Sequence, residues 1–138
     1  MMPCPCGGAR LTAKPPGTRG SNEKYVDCCG RYLDGGEVAP TAEALMRSRY
    51  AAYTLGREDY LLATWHRSTR PASLELASEP RRKWLGLDVK RHAQPEPDHA
   101  VVEFVARYKV GGRAHRLHEI SRFTHDMGQW FYVDGDIV

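Results

Sequence analysis

The stretch TAEALMRSRYAAYTLGREDYLLATWH, residues 41–66, decides how the remainder of the chain is arranged. Thr41 is a suitable N-cap, and the spacing of the apolar residues after it predicts an amphipathic helix. Gly56 interrupts this pattern, and a second, short helix is predicted over about residues 58–66. The stretch therefore predicts two consecutive helices separated by a tight break.

An arginine lies in the middle of the apolar face of the first helix. At about 100° per residue, Arg49 is at the centre of a stripe that contains Ala42, Leu45, Met46 and Tyr53. Burying an unpaired charge costs far more free energy than one helix face contributes. We therefore expect this helix to cover a surface that is mainly apolar and that also offers an acceptor to the guanidinium group.

The clearest strand pattern lies near the end of the chain. Residues 100–110 alternate in polarity, and Gly111-Gly112 is the signal of a two-residue hairpin turn. This turn determines the register of the next strand, residues 113–125. The face predicted to meet the helices then carries five cross-strand pairs: Tyr108–His115, Ala106–Leu117, Phe104–Glu119, Val102–Ser121 and Ala100–Phe123.

Glu119 is the acceptor that the first helix requires. We predict that the helix packs on this face of the hairpin, so that Arg49 and Glu119 either form a buried structural ion pair or line one polar pocket together. The pocket candidates are Arg49, Tyr50, Trp65, His66, Glu119 and Ser121, with Asp134 if the register of the last strand allows.

Two further strands are predicted, at residues 84–90 and 129–134. Residues 94–98 contain two prolines and predict a turn or loop, while residues 67–83 are compatible with either helix or loop. Helices followed by an antiparallel meander indicate an α+β fold in which the helices cover one face of a curved sheet.

The register of the last strand stays open, because the loop before it has no defined length. A two- or four-residue loop would direct Trp130, Tyr132 and Asp134 to the core face. A three-residue loop would direct Phe131 and Val133 there instead, since a slip of one residue reverses the faces.

All four cysteines lie near the start of the chain, as a C-x-C pair, Cys4 and Cys6, and an adjacent pair, Cys28 and Cys29. Four thiolates satisfy a closed tetrahedral Zn²⁺ site, and a metal would explain how so short and polar a segment folds. Disulfides and unliganded thiols are the alternatives that the spacing leaves open. Nothing singles out one cysteine as a catalytic nucleophile. The intervening residues 7–24 have no periodicity and predict a loop.

Composition narrows the class of protein. The 138 residues carry a net charge of +3 and 41% hydrophobic residues, enough for one compact domain and a small appendage. The basic residues are interleaved with acidic ones, which disfavours nucleic acid as the partner. Four-cysteine knuckles can bind RNA, so nucleic-acid binding through the cysteine segment stays an open alternative. There is neither an apolar run long enough to span a membrane nor a signal peptide at the start. We therefore expect a cytoplasmic protein with reduced thiols.

Several stretches resemble the bacterial YchJ-like proteins: CPCGG, the run from YVDCCGRYLDGG to LLATWH, WLGLDV, VEFVARYKVGGRAHRLHEISRF and GQWFYVDGD. Residues 1–36 resemble a SEC-C motif, a small zinc-binding module also found in SecA. By that resemblance Cys4, Cys6, Cys28 and Cys29 would be the ligands of a structural Zn²⁺. In YchJ-like proteins, however, the two cysteine pairs are usually closer together than here.

The remainder, residues 37–138, resembles a nuclear transport factor 2-like domain. That fold is a cone whose helices close over a strongly bent antiparallel sheet and whose interior often holds a pocket. The resemblance therefore implies the same α+β architecture as the pattern of helices and strands.

The resemblance also implies a function in protein interaction. In SecA the SEC-C module contacts a chaperone and the ribosome, so a protein or ribosomal partner is expected here. The basic loop residues are compatible with an acidic partner: Arg10, Lys14, Arg19 and Lys24. The alternative is a small-ligand binder or an enzyme that uses the pocket. The spacing of the candidate pocket residues does not indicate a particular reaction, so no catalytic residue is assigned. The oligomeric state stays open.

Overall fold

The structure is a computed structural model that describes residues 4–6, 24–74 and 82–138. A 3₁₀ turn, Tyr25–Asp27, precedes three helices: α1 (Gly30–Leu33), α2 (Ala42–Leu55) and α3 (Glu58–Ala63). Four strands follow: β1 (Lys83–Glu96), β2 (His99–Val110), β3 (Arg113–Asp126) and β4 (Gln129–Ile137). They form one antiparallel sheet in the order β1-β2-β3-β4. None of the described helices is both long and apolar enough to cross a bilayer.

Some expectations concern residues outside the described ranges. These are the loop proposed for residues 7–23, with the basic residues Arg10, Lys14 and Arg19, and the possible helix within residues 75–81. Lys24 is described, and it is exposed.

The helical prediction is confirmed for α2 and needs a correction for α3. The Thr41 hydroxyl accepts a hydrogen bond from the Ala44 N–H at 3.0 Å, and Gly56 ends α2 in the left-handed conformation. Helix α3 ends at Ala63 rather than at residues 65–66, because the chain then joins the edge of the sheet. There the His66 N–H donates to the carbonyl of Tyr132 at 2.8 Å.

The register predicted for the β2–β3 hairpin is confirmed, including the pairing of Phe104 with Glu119. Strand β1 is longer than predicted, because residues 94–96 continue the ladder and only Pro97 and Asp98 form the turn. Three register shifts interrupt the pairing of β1 with β2. Such bulges bend a strand and increase its twist, so they contribute to the curvature of the sheet.

The β3–β4 connection is a two-residue turn, Met127-Gly128, which directs Trp130 and Tyr132 toward the helices. Asp134 does not follow them, because a register shift beside Phe123 adds one residue to β4 and reverses the faces beyond it. Asp134 is therefore exposed on the outer face of the sheet, where its carboxylate accepts from Arg122 Nε at 2.6 Å.

Helix α2 lies at the centre of the core and is buried on almost every side. Every residue from Ala42 to Ala52 is buried except Glu43, which is partly exposed. One side of the helix faces the sheet, and the other faces the cysteine-bearing segment and α3. The buried residues of the described chain accordingly form one continuous cluster that includes all four cysteines as well as Phe123 and Trp130.

Candidate functional site

The four cysteine side chains converge on one buried point. Their Sγ atoms all lie within 4.8 Å of one another. The distance from Cys6 Sγ is 3.5 Å to Cys4 Sγ and 3.6 Å to Cys28 Sγ, and that from Cys28 to Cys29 is 4.0 Å. The residues are between 0% and 5% exposed, and none forms a disulfide. Two cysteine pairs separated by a long insert are thus brought together in space.

This arrangement fits a tetrahedral Zn²⁺ ion. Zinc–sulfur bonds of about 2.3 Å arranged tetrahedrally place neighbouring sulfur atoms about 3.8 Å apart. The three Sγ–Sγ distances of 3.5, 3.6 and 4.0 Å lie on either side of this value. All four donors are cysteine, and the site is closed, which is typical of a structural metal centre.

The thiols alter each other's acidity. Hydrogen bonds with neighbouring thiols, led by Cys28 for Cys4 and by Cys29 for Cys28, lower the pKa of Cys4 and Cys28. Hydrogen bonding with Cys28, together with burial, raises the pKa of Cys6 and Cys29. A divalent cation at the centre of the four sulfur atoms would favour the thiolate form of each.

We call the described cysteine-bearing part, residues 4–6 and 24–36, the knuckle. Gly30 lets α1 begin beside the cluster, because a Cβ at this position would lie 2.7 Å from the carbonyl oxygen of Tyr25. The Tyr25 hydroxyl donates to Asp34 at 2.8 Å, and Arg57 also donates to Asp34, at 2.6 Å. These bonds fasten the end of the knuckle to the start of α3.

Arg47 attaches the knuckle to α2. Its Nη1 donates to the carbonyl of Cys6 at 2.9 Å, and its Nε forms an ion pair with Glu43 at 3.1 Å. The residue is buried. Sequence reasoning did not select it, because Arg47 lies off the apolar stripe and only the folded knuckle supplies its acceptor.

A cavity of about 170 Å³ lies between part of α2 and the inner face of the sheet. We call it the cone cavity. It is lined by Met46, Arg49, Tyr50 and Tyr53 from α2, by Arg82, Trp84, Phe104 and Ala106, and by Leu117, Glu119, Ser121, Phe123 and Tyr132. Four of the pocket candidates therefore lie together here: Arg49, Tyr50, Glu119 and Ser121.

Arg49 forms part of the cavity wall and is 6% exposed. Its Nη1 donates to the carbonyl of Leu61 at 2.8 Å and to the hydroxyl of Thr64 at 2.7 Å. The guanidinium carbon also lies 4.5 Å from the ring centre of Tyr132. Burial lowers the pKa of this group, while nearby tyrosines and Glu119 act in the opposite direction.

Glu119 faces Arg49 across the cavity. Its Oε2 accepts hydrogen bonds from the Ser121 hydroxyl at 2.6 Å and from the Tyr132 hydroxyl at 3.3 Å. Among the ion pairs of the described residues, none joins Glu119 to Arg49. Of the two arrangements expected for this pair, the structure has the shared cavity and not the direct ion pair.

Trp65 and His66 are not among the residues that line the cone cavity. Trp65 packs edge-on against Tyr132, with ring centres 4.9 Å apart, behind the cavity wall. The His66 ring contacts Ser68 Oγ at 2.7 Å and Asp126 Oδ2 at 3.0 Å. His66 thus connects the segment after α3 to the β3–β4 turn, and its hydrogen bond lowers the pKa of Asp126.

Five aromatic residues of the cavity wall were not among the predicted pocket residues: Tyr53, Trp84, Phe104, Phe123 and Tyr132. Tyr53 could have been selected, because it shares the apolar stripe with Arg49. Trp84 could not, since the face of β1 on which it lies depends on a bulge immediately after it. Tyr132 depended on the length of the β3–β4 turn.

Comparison with known proteins places these features in a family. Residues 41–135 match the family model described as YchJ_M-like, the middle NTF2-like domain of YchJ. A UPF0225 protein of Polaromonas naphthalenivorans is 57% identical over 135 residues, which are 97% of this chain and 96% of the relative.

Two solved structures are similar along most of the chain. The solution structure of a SEC-C motif containing protein from Rhodopseudomonas palustris has a TM-score of 0.77 and 36% identity, and covers 86% of this chain and 95% of that one. The crystal structure of a SEC-C motif containing protein from Psychrobacter arcticus has a TM-score of 0.75 and 29% identity, with coverages of 98% and 82%. The chain therefore belongs to the YchJ-like family of UPF0225 proteins, with an NTF2-like α+β fold and an N-terminal cluster of four cysteines.

Proposed function

We propose that this protein is a zinc-binding adaptor, in which a structural Zn²⁺ holds the knuckle together and the knuckle binds another protein. The observation that carries the proposal is the convergence of four buried Sγ atoms within 4.8 Å of one another. Because no ligand position is left to a non-cysteine group, the metal would stabilise a surface and would not activate a water molecule.

The surface around the knuckle supports the interaction part of the proposal. Val26 lies in the knuckle and Val38 follows it by two residues in the chain, and they are 51% and 55% exposed. Exposed aliphatic side chains of this kind can contribute apolar contacts to the interface with a protein partner. The similarity to SEC-C motif containing proteins supports the same conclusion, because in SecA this module contacts other macromolecules.

Metal analysis of the purified protein tests the zinc site. We expect about one zinc per chain, in keeping with one four-cysteine site. The Cys28→Ser variant should lose the metal, whereas Asp27→Ser should retain it, because Asp27 is exposed and is not one of the four ligands. A wild-type protein without zinc, or a Cys28→Ser variant that retains it, would contradict the proposal.

Site-specific photo-crosslinking in cells tests the adaptor role. A photo-crosslinking amino acid at Val26 should yield an adduct with one defined protein, and the Cys28→Ser substitution should abolish that adduct. The same amino acid at Met127, which is 81% exposed in the β3–β4 turn and lies outside the knuckle, is the matched control. The same adducts from both positions, or an adduct that survives the loss of the metal, would rule out recognition through the knuckle.

A second candidate function is the binding of a small molecule in the cone cavity. The observation that favours it is Arg49, a buried cation in the cavity wall that is not neutralised by an ion pair with Glu119. We favour binding over catalysis, because the described residues that line the cavity include no histidine or cysteine that could act as base or nucleophile beside Glu119.

A further inference from the structure

Arg49 has more hydrogen-bond donors than protein acceptors. A guanidinium group has five N–H bonds, and the two of Nη1 are directed to Leu61 and Thr64. Among the described residues, Nε and Nη2 donate to none. Among the described residues that are not exposed, every side-chain nitrogen or oxygen shielded from solvent has a hydrogen-bond partner, so Nε and Nη2 must border accessible space. Because Arg49 is only 6% exposed and lines the cone cavity, we place this space in the cavity.

Glu119 presents a complementary acceptor. Its Oε2 is occupied by the hydroxyl groups of Ser121 and Tyr132. Its Oε1 accepts from no described residue, and the same reasoning assigns this atom to accessible space. The cavity therefore offers N–H donors on one side and a carboxylate oxygen on the other, with a gap between them that neither side chain closes.

The charge of these two groups restricts what can fill the gap. A carboxylate or phosphate would be attracted by Arg49 but repelled by Glu119, and an amine would meet the opposite difficulty. Burial of an uncompensated charge is costly, whereas a neutral group with one acceptor and one donor satisfies both side chains. Arg82 does not alter this balance strongly, because it is exposed and its charge is screened by solvent.

The walls and the volume restrict the body of the ligand. Aromatic side chains surround the gap, among them Tyr53, Trp84, Phe104 and Tyr132. The cavity of about 170 Å³ is close to the roughly 150 Å³ that holds a benzene molecule in an engineered protein cavity. Aromatic walls and this volume favour one planar ring.

We infer that the cone cavity binds a neutral, planar, single-ring molecule that carries a hydrogen-bond acceptor and an N–H donor side by side on one edge. Cyclic amides and the pyrimidine-like edge of a nucleobase belong to this chemical class. The acceptor of this molecule receives a hydrogen bond from Arg49 Nε or Nη2, and its N–H donates one to Glu119 Oε1. This inference rests on the second candidate function and specifies its ligand.

Three single-ring probes that differ in charge test the inference: neutral 2-pyridone, anionic benzoate and cationic benzamidine. Titrations of the full chain are followed through the NMR signal of the Trp84 indole N–H, because Trp84 lines the cavity. We expect 2-pyridone to bind at least about tenfold more tightly than either charged probe. Tighter binding of benzoate or benzamidine would overturn the ligand class but keep the cavity as a binding site. Absence of binding by all three at millimolar concentration would overturn both.

The Glu119→Gln variant tests the inference further, because it should shift the binding preference of the cavity from 2-pyridone toward benzoate. Ser121 and Tyr132 both donate to the Oε2 position, so the amide oxygen should occupy it and the NH₂ group should face the cavity. We expect 2-pyridone to bind about tenfold more weakly, since its N–H then faces a donor, and benzoate to bind more tightly.

The matched control for this reversal is Glu103→Gln. Glu103 pairs with His118 at 2.7 Å and is absent from the cavity wall, so binding of all three probes should stay unchanged. The amide NMR spectrum of each variant reports whether it is folded. An unchanged order of the three probes in folded Glu119→Gln would overturn the inference.

Discussion

At the scale of single residues, Glu119 keeps its place in the cone cavity because residue 135 has no side chain. A Cβ on Gly135 would contact the carboxylate group of Glu119 directly, with Cγ at 3.0 Å. Gly135 is also the cross-strand partner of Ser121, whose hydroxyl donates to the same carboxylate. The glycine thus leaves the space into which the acidic group of β3 fits.

Replacing Gly135 with alanine should destabilise the protein. The carboxylate would have to give up its hydrogen bonds, or β4 would have to move, and overpacking of this kind costs about 1–3 kcal/mol. Urea denaturation measures the free energy of unfolding. In Gly86→Ala the new methyl group would meet nothing within 4 Å, so we expect a change within about 0.5 kcal/mol. Equal effects of the two substitutions would show that the Glu119 contact is not responsible.

At the scale of secondary-structure elements, α2 connects the two candidate sites. Its Arg49 lines the cone cavity, and its Arg47 donates to the backbone of Cys6 in the knuckle. The two arginines are two positions apart and therefore project from different sides of the helix. One helix consequently sets the position of both the cysteine cluster and the cavity wall.

Replacing Arg47 with methionine should weaken metal binding while leaving the four ligands in place. Loss of groups that orient metal ligands typically lowers metal affinity about 10- to 100-fold, and the Cys6 carbonyl would lose its donor. Competition with a chromogenic zinc chelator measures the affinity. Arg67→Met is the control, because the Arg67 side chain is 70% exposed and pairs with Asp126, away from the knuckle. Unchanged affinity in Arg47→Met would mean that α2 does not support the site.

At the scale of the whole molecule, the cysteine cluster is part of the main core. The four cysteines belong to the same continuous cluster of buried residues as Leu45, Phe104 and Phe123. Tyr60 of α3 adds a link to α2, since its hydroxyl is 2.7 Å from Ser48 Oγ. Metal binding to the native state should therefore stabilise the complete chain and not the knuckle alone.

Removal of the metal by a chelator should lower the melting temperature of the protein in a single transition. A ligand that binds only the native state at 100 times its dissociation constant contributes about 2.7 kcal/mol, so the shift should be readily measurable. Thermal unfolding is followed both by far-UV circular dichroism and by the fluorescence of the three tryptophans, Trp65, Trp84 and Trp130, which all lie outside the knuckle and report on the cone. Cys28→Ser is the control and should not respond to the chelator. A chelator-sensitive transition that leaves the tryptophan signal unchanged would show that the knuckle melts independently.

The sequence by itself determined the elements whose geometry is local. A two-residue Gly-Gly turn specifies the β2–β3 register, so the pairing of Phe104 with Glu119 could be predicted. The N-cap at Thr41 and the glycine after Leu55 delimit α2, and its apolar periodicity placed Arg49 toward the sheet. The chain has four cysteines, so the members of the cluster could be named from the sequence, and the resemblance to a SEC-C motif implied that they are metal ligands.

Only the tertiary structure decided the features that depend on distant parts of the chain. A single extra residue in β4 moved Asp134 to the outer face, because strand faces alternate with every residue and a bulge reverses them. The folded knuckle buried Arg47 by supplying the Cys6 carbonyl. Arg49 donates to Leu61 and Thr64 and not to Glu119, which lies across the cavity. The distance between helix and sheet that keeps the two side chains apart is set by the packing of the whole core. Periodicity reports which face a residue occupies, but the partner it meets there is determined by packing.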